Sequence, residues 1–277
     1  MGLGIEARYL RCKAFWKRHL ELSKEFQVRG FERLGTGGTA AILGAGRLLD
    51  VASESLLSRF NKICLVDADP SARAAWRRLR KQLRPGQQLD EQVCDLTGSI
   101  ENWTRQLRSF LNASTERSPA VLAEFLLGLR TADLEVERCD LVVSLNLLSQ
   151  IGIYWKDRFE AAAADWNVRS DEHGNFQEPV ASALADSLRK LEEQHLGLLS
   201  ATGAQVIVIL TDSAYLYYTR DRAEWQEEQA LQLRNVHLNG YSLCEQDTWF
   251  WHIAPQGIEQ PDYGAIHQVQ ALCFVRA

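Results

Sequence analysis

The sequence predicts a doubly wound, mostly parallel α/β sheet with helices on both faces and an antiparallel strand pair at its C-terminal end. Two observations carry this. Strand-like runs that are apolar on both faces alternate with helix-like segments, the pattern of a parallel sheet covered on both sides. The last two strand candidates, TWFWHIAP and AIHQVQALCFVRA, are joined by only about ten residues, too few for a parallel crossover, so they pair as an antiparallel hairpin.

The elements follow in order. Residues 6–28 read as an amphipathic helix, with Tyr9, Cys12, Trp16, Leu20 and Phe26 near helical spacing and basic residues between them. After the break GTGG, the run from Thr39 to Leu43 is the first strand, and helix-like sequence follows from Leu48 to Phe60. KICLVDADP is the second strand, with Pro70 suited to a first helical turn. SARAAWRRLRKQLRPG is a helix stopped by Pro-Gly, and EQVCDLTG a short third strand. Helices are expected over 99–111 and 120–130. CDLVVSLNLLSQI is a fourth strand running into a loop, 152–178 is a mixed segment, and 179–201 a long helix. GAQVIVILTDSAYLYY opens with a strongly apolar fifth strand.

With 277 residues, 46% hydrophobic and 24% charged, the chain is long enough for a substantial core. The net charge of −5 provides no global basic field, which argues against nucleic acid as partner. Charge is uneven: residues 1–36 carry +4 and the remainder −9. That split fits either an anionic-ligand site near the N-terminus or a solvated helix face. No apolar run approaches a membrane span, and the N-terminal stretch has no apolar signal core. The six cysteines form no CxxC pair, and small buried thiols in a cytoplasmic protein are expected.

The stretch AAILGAGRLLDV concentrates the functional question. Gly44 permits a tight turn after the first strand, and Gly46 lets the backbone approach a bound group. In a dinucleotide fingerprint counted from Gly44 the third small residue falls at Leu49, which argues against a standard NAD or FAD site. Asp67 closes the second strand, where an acid accepts ribose hydroxyls. Asp95 closes the third strand and Asn146 follows the fourth. Four polar features thus fall at four consecutive strand ends on one edge of the sheet, the edge at which such sheets bind ligands.

On these residues, together with ICLVDADP, VCDLTG, CDLVVSLNLLSQI and the closing hairpin, the chain resembles the Rossmann-like S-adenosylmethionine-dependent methyltransferases over residues 39–277. The resemblance implies a seven-stranded sheet with its last strand antiparallel and S-adenosyl-L-methionine as cofactor. It implies that Gly44, Ala45 and Gly46 pass the methionine part, that Asp67 with Ala68 holds the ribose, that Asp95 and Leu96 frame the adenine, and that Asn146 and Leu147 lie beside the sulfonium. Two positions depart from the family pattern: Ile42 stands where many members have an acid, and Leu48 where many have a third glycine.

Methyl transfer is an in-line displacement that needs alignment and water exclusion more than a fixed catalytic motif, so the acceptor site is placed by position. The N-terminal helix, residues 1–36, precedes the domain at 37–277 and is expected to fold over the sheet edge as a lid. Trp16 and His19 then wall the acceptor pocket, or Trp16 belongs to the core and His19 to the surface. The loop after the fourth strand offers Tyr154 and Trp155. The segment 152–178 is a candidate cap with His173, and Tyr215, Tyr217 and Tyr218 either line a pocket or pack. No metal-ligand spacing, Gly-x-Ser-x-Gly elbow or phosphate loop is present. The expected function is methylation of a small molecule or a protein side chain. A non-catalytic relative of the same fold and a nicotinamide-dependent oxidoreductase are the alternatives.

Overall fold

A computed structural model of the chain describes residues 2–133, 137–166, 176–219 and 225–277. Helix α1 (Gly2–Phe31) leads into β1 (Thr39–Leu43), α2 (Ser53–Arg59) and β2 (Lys62–Asp67). A 3₁₀ turn at Pro70–Ala72, α3 (Arg73–Arg80), β3 (Gln88–Val93), α4 (Ile100–Ala113) and α5 (Pro119–Gly128) follow. Then come β4 (Leu141–Leu145), α6 (Leu147–Ala162), α7 (Val180–Ala201), β5 (Val206–Thr219), β6 (Trp225–Gln229), β7 (Tyr241–Ala254) and β8 (Tyr263–Arg276). No helix among the described residues is long and apolar enough to cross a membrane.

The sheet order is β3-β2-β1-β4-β5-β8-β7, with β6 paired to β5 off this path. Strands β1 to β5 run parallel, and β8 is antiparallel to both β5 and β7. The last two long strands therefore form the antiparallel hairpin that the short connection predicts. From β1 the chain winds outward through β2 and β3, then returns to build β4 and β5 on the other side. That reversal opens a crevice above the carboxyl ends of β1 and β4.

Helices cover both faces because the central strands are apolar on both. β4 is buried along its whole length, as is the first half of β5. On one face α1, α2 and α3 pack Trp16, Phe26, Phe31, Leu56, Phe60 and Trp76 against Ile42, Ile63 and Val208. On the other, Leu148 of α6 and Leu196 and Leu199 of α7 meet Leu43, Val142 and Ile207. Helices α4, α5, α6 and α7 form a further apolar cluster among themselves, around Trp103, Trp155 and Phe159.

The structure corrects several local expectations. The sheet has an eighth strand, β6, fully exposed and paired to the extension of β5 beyond an irregularity between Asp212 and Ala214. β3 begins three residues before the expected EQVCDLTG, so Asp95 lies just past the strand rather than at its last position. Helix α6 starts immediately after Asn146, so Tyr154 and Trp155 stand on a helix, not on a loop. Leu147, Leu148, Ile151, Trp155 and Phe159 recur at helical spacing there, and this outweighs the polar Ser149-Gln150-Gly152 stretch. Of the candidate cap, residues 167–175 with His173 lie outside the described residues. The thiols are free; Cys12, Cys64 and Cys273 are buried, Cys139 half-buried, Cys94 and Cys244 exposed.

The positive charge of the N-terminus is spent on α1 itself. Arg8 and Arg11 pair with Glu259 between β7 and β8, and Arg29 and Arg33 pair with Glu245 on β7. The basic face thus binds acids of the sheet's last hairpin.

The turn after β1 is fastened to the tip of β2. The N–H groups of Gly44 and Ala45 both donate to the Val66 carbonyl, at 2.9 and 3.1 Å, and Gly46 N–H donates to Asp67 Oδ2 at 2.7 Å. Trp76 Nε1 donates to the Gly46 carbonyl from α3 at 2.9 Å. Gly44, Gly46 and Leu48 all have positive φ, at 73°, 45° and 63°. Leu48 therefore holds a left-handed backbone without being glycine, at a cost of about 1–2 kcal/mol.

Two predictions follow from this packing. A Cβ on Gly44 would collide with the Leu145 carbonyl oxygen and approach Leu147 Cγ at 2.8 Å, whereas one on Gly46 meets nothing closer than 3.8 Å. Gly46→Ala should cost only the left-handed term of about 1–2 kcal/mol, and Gly44→Ala clearly more, in urea unfolding. His195 of α7 is buried with Nε2 2.8 Å from Ser144 Oγ of β4, and burial pushes its imidazole from 6.5 down to about 4. Between those values the unfolded chain binds a proton that the folded chain does not, so this stability contribution falls as pH is lowered. Unfolding wild type and His195→Gln in parallel should show the wild type losing up to about 1.4 kcal/mol more per pH unit across that window.

Candidate functional site

A cavity of about 600 Å³ occupies the crevice at the strand tips. That volume lies within the range of sites that take a drug-sized ligand. Its floor is the glycine turn and the ends of β1, β2 and β4; α1 and α6 supply walls. Gly44, Gly46, Asp67, Ala68, Asp95, Leu96, Asn146 and Leu147 all line it. Ala45 is fully buried beneath the turn and does not. Trp16, His19 and Tyr154 line the cavity. Trp155 does not: it is buried in the helical cluster, where its Nε1 donates to Ser187 Oγ at 2.9 Å. The tyrosines of β5 do not reach the cavity either; Tyr215 packs on His267, Tyr217 on Tyr263 and Tyr218 on Trp225.

The carboxylates of Asp67 and Asp95 are held by the residues that follow them and by the glycine turn. Asp67 Oδ2 accepts from Gly46 N–H, and its Oδ1 from Asp69 N–H at 2.8 Å. Burial raises the Asp67 carboxyl above the usual range, against those two amides. Asp95 Oδ1 accepts from the Thr97 N–H at 2.9 Å and the Thr97 hydroxyl at 2.7 Å, and its buried Oδ2 has no partner among the described residues. Asn146, in the left-handed region at φ 55°, also has a buried Oδ1 without a partner. Unpartnered buried acceptors call for a donor from a ligand or water. The site offers two such amide or carboxylate oxygens, one on each side of the glycine turn's strand, and the lining residues Ser71 and Trp251 add a buried hydroxyl and a buried indole N–H without partners among the described residues.

Asp50 lines the same cavity and carried no sequence signal, since it sits in the aperiodic stretch between the turn and α2. Asn146 Nδ2 approaches its Oδ2 at 3.4 Å. Burial pushes its carboxyl up to about 6; the charge of Asp67 adds to this, and Lys24 opposes it. The wall therefore presents Asp50, Asp67, Asp69, Asp95 and Glu101. Against them stands Arg47, whose guanidinium is 2.7 Å from Glu6 of α1. This wall selects against a phosphate and for a ligand that is cationic and rich in N–H and O–H donors.

At the α1 side four rings interlock. Trp16 Nε1 donates to the Ile253 carbonyl at 2.9 Å, and Trp249 Nε1 donates to His19 Nδ1 at 3.1 Å. His19 lies stacked on Trp251, with centroids 4.0 Å apart and planes 6° from parallel. Burial and the neighbouring His267 push the His19 imidazole down to about 3, so it is neutral at ordinary pH and cannot act as a base through the occupied Nδ1.

No protein-family model matches the chain, and no curated protein matches it. Solved structures are similar to it. One is the 1,6-didemethyltoxoflavin N1-methyltransferase of Burkholderia thailandensis, with its substrate and S-adenosylhomocysteine bound (13% identity, TM-score 0.44, covering 100% of this chain and 87% of that one). A second is TrmK of M. capricolum with S-adenosylhomocysteine (8%, 0.35, 91% and 68%). A third is an O-methyltransferase family protein of Burkholderia thailandensis (11%, 0.39, 95% and 56%). At these scores no residue is carried across, and the reading of the site rests on the chain's own geometry. The sheet order, with β8 running antiparallel between β5 and β7, is a Rossmann-like α/β arrangement.

Proposed function

We propose that the cavity binds S-adenosyl-L-methionine and that the chain transfers its methyl group to an acceptor seated against α1. The observation that carries this reading is the acid-lined hollow over the tips of β1, β2 and β4, with its two unpartnered acceptors. The cofactor's donors match it. Asp95 Oδ2 suits the adenine amino group. Asp67, which accepts the Gly46 and Asp69 amides with the Ala68 amide also facing it, offers its remaining lone-pair capacity to the ribose hydroxyls. Asp50 takes the α-ammonium, in place of the acid that Ile42 lacks. Bound there, the cofactor supplies an electrophilic methyl group; the chain's residues orient it and exclude water.

The charge pattern also weighs against a nicotinamide cofactor. A pyrophosphate rests on a helix N-terminus that follows the glycine turn directly. Here α2 begins only at Ser53, well past Gly46, and the wall is acidic. Helix α1 acts as a fixed wall rather than a lid, because Cys12, Trp16, Phe26 and Phe31 bury its length in the core.

Calorimetry tests the reading. S-adenosylhomocysteine should bind, and Asp67→Ala should weaken it by about 1–3 kcal/mol, the worth of charged hydrogen bonds. The same substitution also frees the Gly46 and Asp69 amides, so thermal unfolding is followed in parallel. Binding of neither the cofactor nor its product at high micromolar concentration would favour a non-catalytic scaffold, and NADH fluorescence enhancement an oxidoreductase.

Asp50→Asn separates the two ends of the cofactor. It should weaken S-adenosylhomocysteine, which carries the ammonium, and leave methylthioadenosine, which lacks the amino-acid end, unchanged. With the Asp50 carboxyl near 6, wild-type affinity for S-adenosylhomocysteine should fall as pH drops below that value, and affinity for methylthioadenosine should fall less. Equal losses for both ligands would mean that Asp50 does not face the ammonium.

A further inference from the structure

The aromatic wall that α1 and β7 build beside the cofactor hollow has a specific chemistry. His19 is 2% exposed, Trp16 2% and Trp251 6%, yet all three line the cavity, so their ring positions are set by packing before any ligand arrives. Trp251 is gripped on one face by His19 and edge-on by Trp16 at 4.8 Å. Trp249 fixes the imidazole by donating to its Nδ1. A ring nitrogen that accepts an N–H is deprotonated, so in the neutral ring the proton sits on Nε2. His19 is therefore a neutral hydrogen-bond donor held in one tautomer by a neighbouring indole. Burial and His267 keep it from acquiring charge.

Leu20 of α1, Ile151 of α6 and the ring of Tyr154 add apolar surface, with the polar side chains of Gln150 and Glu101 beside them. The Tyr154 hydroxyl accepts from Arg158 at 2.6 Å, which fixes that ring too. The one lining guanidinium, Arg47, is engaged by Glu6, so an anionic acceptor finds no free countercharge in the wall. Asp67, Asp69 and Asp95 sit with the strand tips, where they serve the cofactor, and Glu101 of α4 lies 3.5 Å from the Tyr154 hydroxyl. What remains is a largely apolar slot whose aromatic wall carries two N–H groups, His19 Nε2–H and the Trp251 Nε1–H, the latter buried without a partner among the described residues.

We propose that this slot receives a small, uncharged, planar ring compound that carries a lone-pair acceptor, a ring nitrogen or a ring carbonyl, and that His19 Nε2–H reads that acceptor. The acceptor of the methyl group is then a heteroaromatic or conjugated cyclic small molecule rather than a protein side chain. This rests on the cofactor reading above for which end of the cavity is which. His19 serves as a binding and orienting residue: the stacked ring fixes the plane of the acceptor, and the N–H fixes its rotation within that plane.

The test uses four bicyclic probes on the full chain, with and without saturating S-adenosylhomocysteine. They are quinolone, a neutral ring carbonyl; naphthalene, the same shape without an acceptor; naphthoate, an anion; and N-methylquinolinium, a cation. Quinolone should bind about ten-fold or more tightly than each of the others, the worth of one buried hydrogen bond together with avoided desolvation. His19→Phe keeps the stack and removes the N–H, so it should bring quinolone down to the naphthalene level while naphthalene and S-adenosylhomocysteine are unchanged. His19→Gln, which retains an N–H donor, should recover part of the loss. The wild-type comparison needs no variant and decides the matter even if the substitutions unfold the chain. Quinolone binding no tighter than naphthalene overturns the proposal, as does tightest binding of either charged probe or no binding of any. S-adenosylhomocysteine is titrated alone first. Its failure to bind defeats the cofactor reading, and the four-probe series on the unloaded chain still tests the slot.

Discussion

The carboxylate of Asp67 holds the site together. Its two oxygens accept the Gly46 and Asp69 amides, and so bind the turn after β1 to the start of the segment after β2. Both segments leave neighbouring parallel strands at the same edge of the sheet. Gly44 and Gly46 take their positive φ without steric cost, but without that bridge Leu48 would have little reason to hold a left-handed backbone. The bridge also explains why the strain at Leu48 is tolerated: the turn is determined from outside, by the Val66 carbonyl, the Asp67 carboxylate and the Trp76 indole.

The same arrangement gathers negative charge. Fastening β1's turn to β2's tip brings Asp50 close enough to Asp67 for the charge of Asp67 to add to the rise that burial imposes on the Asp50 carboxyl. A fold that places carboxylates in this way leaves electrostatic energy to be recovered by a bound cation. The unpartnered oxygens of Asp95 and Asn146 add hydrogen-bond capacity to that charge. Charge and unfilled acceptors are separate observations, and both call for a donor-rich, positively charged ligand.

Much of the architecture was legible in the chain, for physical reasons that also mark where legibility ends. β1, β2, β4 and β5 are apolar on both faces because they are central, and a central parallel strand can be read from its residues alone. β3 and β6 lie at edges and are largely exposed; QLDEQV and WQEEQ carry little apolar pattern, so the first was misframed and the second missed. In the site, Asp67, Asp95 and Asn146 could be found because strand ends are predictable. Asp50 could not, because its arrival depends on a positive φ at Leu48, and a leucine gives no sign of that. Trp155 was misplaced for the opposite reason: a helix begins where polar residues suggest a loop, and the turn of about 100° per residue points Trp155 into the helical cluster while Tyr154, at its margin, lines the cavity.

Helix α1 shows how surface charge and core packing divide the work of placing a functional ring. Its arginines meet Glu245 and Glu259, two acids of the final hairpin, one near each end of the helix. Exposed ion pairs of this kind contribute little to stability. What holds α1 down is the burial of Trp16, Phe26 and Phe31 against the sheet. Apolar contact is non-directional, however, and by itself would tolerate a helix slid by a turn along β7. Two ion-pair clusters far apart along the axis penalise such a slide, because both break together. The Trp16 bond to the Ile253 carbonyl and the Trp249 bond to His19 then fix the rotation. The basic N-terminus thus sets the position of the helix, and with it the position of the imidazole that faces the cavity.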